Sequence, residues 1–493
     1  MSDRKETGCY YGAGQCLESV AAMELNMPDG KMPSLIALYE GIGQDGITDN
    51  YQIMEAHNFF PGAILQIGLE LPKFNRDGLL ELGNGTLDAY IIQLAKRYQS
   101  IPGKIFLRIG YEFDGEWNSY DPDLYIRAYQ RIVDIFRDER VMNVEFVWNS
   151  YICDDKNIFL WYPGDEYIDW FSFNTVTAKF NCGWFVKQAQ LHHKPVIIGE
   201  ASYAIVKEDL TFQDWCQQFF EMIYKYNIQG FQYINWEWSV YPRILNWHTW
   251  KNGRYTDTPV YINKMNQIID QYSFNMRGAE SASPIRIIID CARRMKETTE
   301  VMPWEKALDH VAMRKEDNYN ADSITCVYEG WLPYWLTVGK EGVITLYNHI
   351  YEGDGYIFFH ATRKDGQNGT VYVNKQGYAL TNQLHSMVKI PVQIIPEETF
   401  DIRFQEGVLI DHIGLQGIEA GLPSPSGLER NIQRLQWHPV EDAAGYNIYI
   451  NYQLYQVTKN PYFLFDHCSE GDIISISTFY NKLGESNSAY YII

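Results

Sequence analysis

Two short runs decide how this chain is read: Lys104-Ile-Phe-Leu-Arg-Ile-Gly-Tyr-Glu112 and Pro195-Val-Ile-Ile-Gly-Glu200. Each has the apolar run of a strand buried on both faces in a parallel sheet, and each delivers a carboxylate at or near its C-terminal end. An acid is out of place at the end of a buried strand unless it is used. In a (β/α)8 barrel that end of the strands is the face where chemistry is done.

Working outward from these runs, strand-like and helix-like segments alternate from residue 8 to about residue 275. Strands are expected over 8–12, 34–41, 63–71, 105–112, 144–149, 168–173, 196–200 and 231–236. Eight strands in roughly 250 residues is the size of one (β/α)8 barrel. The helices between them carry their own signals. Asp121-Pro122 offers an N-cap followed by proline at the first helical position, and Tyr125, Ala128, Tyr129, Ile132, Val133 and Phe136 then recur at helical spacing. Thr211 opens a similar helix, with Trp215, Phe219, Met222 and Ile223 on one stripe. A doubly wound open sheet is the competing fold, but Gly12-Ala-Gly14-Gln-Cys-Leu lacks the third glycine of a phosphate-binding loop.

Beyond about residue 275 the texture changes to short alternating strands and turn residues, with a linker near 278–284. Residues 309–315 either begin this region or form a connecting helix. A Pro/Ser/Gly stretch at 421–427 marks a second boundary. The expected fold is therefore multidomain: a (β/α)8 TIM barrel over 1–277, then two antiparallel β-sandwich domains over 285–420 and 425–493.

Composition narrows the partners. The chain has 493 residues, with 41 basic against 62 acidic side chains and a net charge of −21, which argues against nucleic acid or an anionic membrane. No apolar stretch reaches the length of a membrane span. Aromatics make up 15% of the chain, enough both for bulky packing and for flat rings that stack on sugars. The eight cysteines are scattered without paired or metal-like spacing, so most are expected free and buried, and no metal or organic cofactor is called for. Met1-Ser-Asp-Arg-Lys-Glu-Thr7 is polar and reads as no signal peptide. The protein is expected outside the cell if a leader has been removed, and in the cytoplasm otherwise. A monomer is expected.

With Glu112 ending strand four and Glu200 ending strand seven, two carboxylates can face each other about 5 Å apart, the spacing for glycoside cleavage with retention. One must be protonated for the leaving oxygen and the other ionised to attack the sugar carbon. Arg108, four residues before Glu112, either holds a carboxylate ionised or makes an ion pair in the barrel core. Trp148 and Asn149 end strand five. Trp236 ends strand eight, where it either floors a sugar subsite or packs. Glu40, Glu70, Asp114 and Glu237 are further acids at strand ends that can bind hydroxyls. No strand-end lysine for a Schiff base and no His/Asp metal cluster is evident, which leaves aldol or isomerase chemistry unsupported.

Several blocks together resemble glycoside hydrolase family 26. They are Leu107-Arg-Ile-Gly-Tyr-Glu112-Phe-Asp-Gly-Glu-Trp117-Asn, Phe146-Val-Trp148-Asn, Trp161-Tyr-Pro-Gly-Asp-Glu-Tyr-Ile-Asp169 and Lys194-Pro-Val-Ile-Ile-Gly-Glu200. The resemblance covers about residues 8–265. That family contains β-mannanases, some β-1,3-xylanases and mixed-linkage β-glucanases. It implies Glu112 as acid/base, Glu200 as nucleophile and net retention, acting on a polysaccharide or oligosaccharide. The candidate substrate-binding set is Arg108, Tyr111, Trp117, Trp148, Asn149, Asn174 and Trp236. Two positions depart from the family's mannanases, which carry a histidine just before the acid/base and a tyrosine after strand six. This chain has Tyr111 at the first and no tyrosine in Phe173-Asn-Thr-Val176 at the second. These departures motivate the alternative of a non-catalytic glycan-binding protein on a glycosidase barrel. The middle region is similar to carbohydrate-binding modules of families 6 and 35, with Trp331 and Tyr334 as binding-face or packing rings. The C-terminal piece resembles a fibronectin type III domain with Trp437 and Tyr446 in its core.

Overall fold

The computed structural model describes residues 5–28, 30–48, 51–73, 75–175, 180–204, 210–236, 252–278, 285–290, 311–312, 324–329, 332–338, 344–347, 352–363, 367–380, 386–396, 398–418, 421–465, 468–480 and 484–493. Eight parallel strands form a closed barrel: β1 (Lys5–Gly14), β2 (Leu35–Gly43), β3 (Ile64–Glu70), β4 (Ile105–Ile109), β5 (Val144–Ser150), β6 (Trp170–Thr175), β7 (Val196–Ala201) and β8 (Gly230–Ile234). Neighbours run β1-β8-β7-β6-β5-β4-β3-β2, and β2 pairs back onto β1 through Gly12↔Leu35, Ala13↔Ile36 and Gly14↔Ala37. Helices α1 (Leu17–Leu25), α2 (Tyr51–Phe59), α3 (Arg76–Asn84), α4 (Asp88–Ser100), α5 (Pro122–Asp138), α6 (Gly183–Leu191), α7 (Phe212–Tyr226) and α8 (Pro259–Gln271) lie between and after the strands, with α3 and α4 both after β3 and only the 3-10 turns Lys156–Trp161 and Asp165–Tyr167 between β5 and β6. This is the (β/α)8 architecture expected from the alternating pattern.

Local chemistry explains the helices. The Asp121 carboxylate accepts the Leu124 N–H at 3.2 Å and Pro122 supplies the first turn of α5, whose Leu124, Tyr125, Ala128, Tyr129, Ile132, Val133 and Phe136 are buried. Thr211 caps α7 through the Asp214 N–H at 3.1 Å, and Asn227 closes that helix in the left-handed conformation.

Alternation along the strands sorts the barrel interior into layers. At the N-terminal end Leu35, Phe106, Val147 and Ile197 form an apolar plug with Tyr10, Ile64 and Trp170 packed on it. One step along β3 comes Gln66, then polar and charged side chains collect toward the C-terminal end. The apolar plug holds the strands together and leaves the opposite end for binding. Cys9, Cys16, Cys153, Cys182 and Cys216 are free and buried, and Cys468 is free and half-buried. No described helix is long and apolar enough to cross a membrane.

The chain divides into two compact units, and the second takes in Met54–Pro61 together with the described residues from 285 to 493. Its Gly353–Arg363, Ser386–Ile394 and Val408–Gly417 strands belong to a sheet that continues, through Val388↔Gln453, into Gln453–Thr458, Gly445–Ile450 and Ile473–Tyr480. The middle and C-terminal strands thus share one sheet across the 421–427 stretch. Val311–Ala312 is a short strand paired with Ile344–Tyr347; the rest of 309–315, and Trp331, lie outside the described residues. Trp437 and Tyr446 meet edge to face at 5.1 Å in a core with Leu435, Ile448 and Phe463.

A buried ion pair ties the two halves of that sheet. Lys389, 1% exposed, bonds Glu485, 0% exposed, which also accepts from Gln416, Asn447, Tyr449 and Ser477. Burial alone raises the Glu485 carboxyl, but Lys389 and these donors outweigh it and hold the group below its ordinary range. Lys389→Met strands this carboxylate without its cation and is expected to destabilise the unit by about 3–5 kcal/mol in denaturant unfolding. A change within about 0.5 kcal/mol contradicts that account.

Candidate active site

β4 stops at Ile109, three residues short of the acid that the sequence placed at its end. Gly110 and Glu112 both take left-handed backbone, with φ of 55° and 54°. Such a conformation is costly for a glutamate and persists only where its surroundings impose it. Here the Glu112 N–H donates to the Asn149 carbonyl at 2.8 Å. The Asn118 side chain donates to the carbonyls of Tyr111 and Glu112 at 3.0 and 2.7 Å. The turn that carries Glu112 is therefore clamped at its start and at its end.

β7 reaches Glu200 through a bulge. Phe173 pairs with Ile198, yet the next residue, Asn174, pairs with Glu200, so Gly199 is an extra residue in the strand. Gln66, from β3, donates to the Gly199 carbonyl at 3.0 Å. A Cβ at Gly199 would lie 2.6–2.8 Å from Asn174, Asn149 and Arg108, so only glycine leaves room for that polar hub.

One hydrogen-bonded chain joins the two acids. The Asn174 amide donates to Glu112 at 2.7 Å, the Asn149 amide donates to the Asn174 carbonyl oxygen at 3.2 Å, and Arg108 Nη1 donates to Asn149 at 3.2 Å and to Glu200 Oε1 at 3.0 Å. Arg108 is fully buried. Burial alone would lower its pKa, but Tyr39 and Glu200 beside it raise it instead, so it stays a cation. Its guanidinium lies 5.3 Å from the Tyr39 ring and 5.1 Å from the Tyr111 ring, and those rings meet edge to face at 5.5 Å. The Trp117 indole donates to Glu112 Oε2 at 2.9 Å and stands on edge against Tyr151 at 4.5 Å. At 37% exposed, Trp117 offers an open aromatic surface next to the acid.

The two carboxylates occupy different environments. Burial, then the negative charge of Glu200, push the Glu112 carboxyl up to about 8, against the pull of Asn174, Arg108 and Trp117. Glu200 instead faces the Arg108 cation directly. A proton donor beside an anion is the division of labour that acid/base-assisted displacement at a sugar carbon needs.

Of the residues singled out in the sequence, Glu112, Glu200, Arg108, Tyr111, Trp117, Asn149 and Asn174 come together. Trp148 does not. It has no exposed surface and stacks on Phe113 at 4.8 Å, with Phe171 at 5.1 Å, because strand alternation turns it outward while Asn149 turns inward. Trp148 is a packing residue and does not line the mouth. Trp236 follows β8, is 8% exposed, and its carbonyl accepts the Gly253 N–H at 2.9 Å. The remaining acids have other engagements. Glu40 is buried against Arg97 and Tyr98, Glu70 pairs with Lys73 at 2.6 Å, and Asp114 accepts from the Ser150 hydroxyl and the Tyr151 N–H. Glu237 lies outside the described residues. Tyr39 and Asn118 belong to the cluster but were not singled out.

The fold and the site define a class: a (β/α)8 barrel with two linked carboxylates at the C-terminal ends of strands four and seven. No protein-family model matches the chain. The chain is similar to a β-1,3-xylanase of a Vibrio species, 25% identical over 279 residues, covering 48% of this chain and 58% of the relative. It is also similar to a β-1,3-xylanase of an Alcaligenes species, 24% identical over 275 residues, covering 47% and 56%. The match thus spans little more than half the length of these curated relatives. Among solved structures, the Bacillus subtilis mannanase BCman aligns with a TM-score of 0.42 at 15% identity, over 56% of this chain and 88% of the mannanase.

Proposed function

We propose that this protein is a retaining glycoside hydrolase acting on a β-linked polysaccharide or oligosaccharide of the mannan, xylan or mixed-linkage glucan class. The observation that carries this reading is the chain Glu112–Asn174–Asn149–Arg108–Glu200, which holds a carboxyl favouring its proton beside a carboxylate paired with a cation. In the first step Glu200 bonds to the anomeric carbon while the bond to the leaving oxygen breaks and the Glu112 proton passes to that oxygen. In the second, Glu112 takes a proton from water, the water oxygen bonds to the anomeric carbon, and Glu200 leaves as carboxylate. Arg108 supports both steps by meeting the charge on Glu200, and Trp117 offers a face for the sugar on the leaving side. Because a polymer cannot cross a membrane, action outside the cell is part of this reading. The β-rich second unit is proposed as an accessory glycan-binding region.

Reducing-sugar release from β-1,3-xylan, β-mannan and mixed-linkage glucan tests the proposal, with β-1,3-xylan first because of the two xylanase relatives. On the polymer cleaved, proton NMR of the earliest product is expected to show the β-anomer before mutarotation. An α-anomer at first appearance contradicts double displacement. Binding to these polymers without turnover, unchanged by Glu200→Gln, points to the glycan-binding alternative.

A further inference from the structure

Two donors converge on one oxygen of Glu200. Arg108 Nη1 reaches Oε1 at 3.0 Å, and the Tyr39 hydroxyl reaches the same Oε1 at 2.9 Å. Among the described residues neither donor lies on Oε2. Tyr39 comes from β2, on the far side of the barrel sequence, and its ring is seated as well as its hydroxyl. One edge meets Tyr111, and one face meets the Arg108 cation. The hollow it fills exists because residue 68 has no side chain: a Cβ at Gly68 would lie 2.6 Å from the Tyr39 ring and 3.1 Å from Arg108. Ring and hydroxyl are both fixed by neighbours, so the direction of the hydrogen bond is set before any ligand arrives.

We infer, resting on the hydrolase reading above, that Tyr39 is the positioning residue for Glu200, locking the carboxylate by Oε1 so that Oε2 is the atom presented to the sugar. A carboxylate held by a single donor can rotate about its Cγ–Cδ bond and exchange its oxygens. Two donors on one oxygen, from β2 and β4, remove that freedom. The same bond also steadies the negative charge that returns to Glu200 when the second step expels it. Tyr39 thereby supplies to Glu200 a phenol that Phe173-Asn-Thr-Val176 does not.

The experiment compares wild type, Tyr39→Phe, Tyr39→Leu, Gly68→Ala and Glu200→Ala on the polysaccharide that wild type cleaves, with kcat and KM measured separately and melting followed by circular dichroism. Loss of a hydrogen bond to a charged group predicts roughly a 10- to 100-fold lower kcat for Tyr39→Phe, with KM within about threefold of wild type and an unchanged melting profile. Tyr39→Leu is expected to lose no less. Gly68→Ala, which leaves the phenol but displaces its ring, is expected to lower kcat in the same way, and it carries the test if Tyr39→Phe does not fold. If Tyr39→Phe keeps kcat within twofold while Glu200→Ala is dead and Tyr39→Leu is damaged, Tyr39 merely packs and the inference is wrong. If wild type releases no more sugar than Glu200→Ala on the whole panel, the hydrolase reading fails and the positioning role falls with it.

Discussion

Glu200→Ala is expected to abolish turnover, with a loss in kcat of at least about 10⁴-fold, because no other described carboxylate is placed to attack the same carbon. The cavity left by the side chain keeps Arg108 and Tyr39 pointing at it. Added azide therefore enters a site already lined with donors. With an aryl glycoside of good leaving ability, the expected product is the glycosyl azide of inverted configuration, formed in a single displacement. Glu112→Ala should behave oppositely, since there azide replaces water in the second step and gives the azide of retained configuration. Swapping these two outcomes would exchange the roles assigned to the acids.

Glu112 carries the second large effect. Its carboxyl sits near 8 because burial and Glu200 both disfavour the anion, so the acid form prevails at neutral pH. Activity on unactivated polysaccharide should fall as the pH rises through about 8, when the proton needed by the leaving oxygen is lost. Glu112→Gln should lose roughly 10²- to 10⁴-fold on such substrates and far less on aryl glycosides, whose leaving groups need no proton. Stability follows the same linkage. A folded pKa raised above the ordinary value near 4.5 means stabilisation fully present below that pH and lost as the pH climbs through about 8. Glu112→Gln removes this dependence, so its melting temperature should gain on wild type between pH 4.5 and 8. A pH-rate profile with no alkaline limb in this region contradicts the assignment.

Much of the barrel was legible because buried parallel strands and amphipathic helices leave different periods in a sequence. Asn149, Asn174, Arg108 and the two glutamates stood out as polar groups at or near the ends of apolar runs. Trp148 was misplaced because a run apolar on both faces hides which residue points inward, and its neighbour Asn149 took that place. Tyr39 passed unnoticed because one tyrosine among 37 has no local signal, and its partner is 161 residues away. The bulge at Gly199 and the left-handed turn at Glu112 are three-dimensional adjustments that a glycine or a glutamate alone does not announce. The Pro/Ser/Gly stretch at 421–427 reads as an end of one module. The stretch separates strands only along the chain, whereas the hydrogen-bonded sheet joins those on either side of it through Val388↔Gln453.

That shared sheet has a practical consequence for anyone who trims the chain. Ending it at the apparent linker would unmask Ser386–Ile394 as a raw margin, open to pairing with any passing backbone, and would remove Glu485, one of the two acids bonded to an interior lysine. The shortened protein would be prone to clump, and its failure would say nothing about sugars.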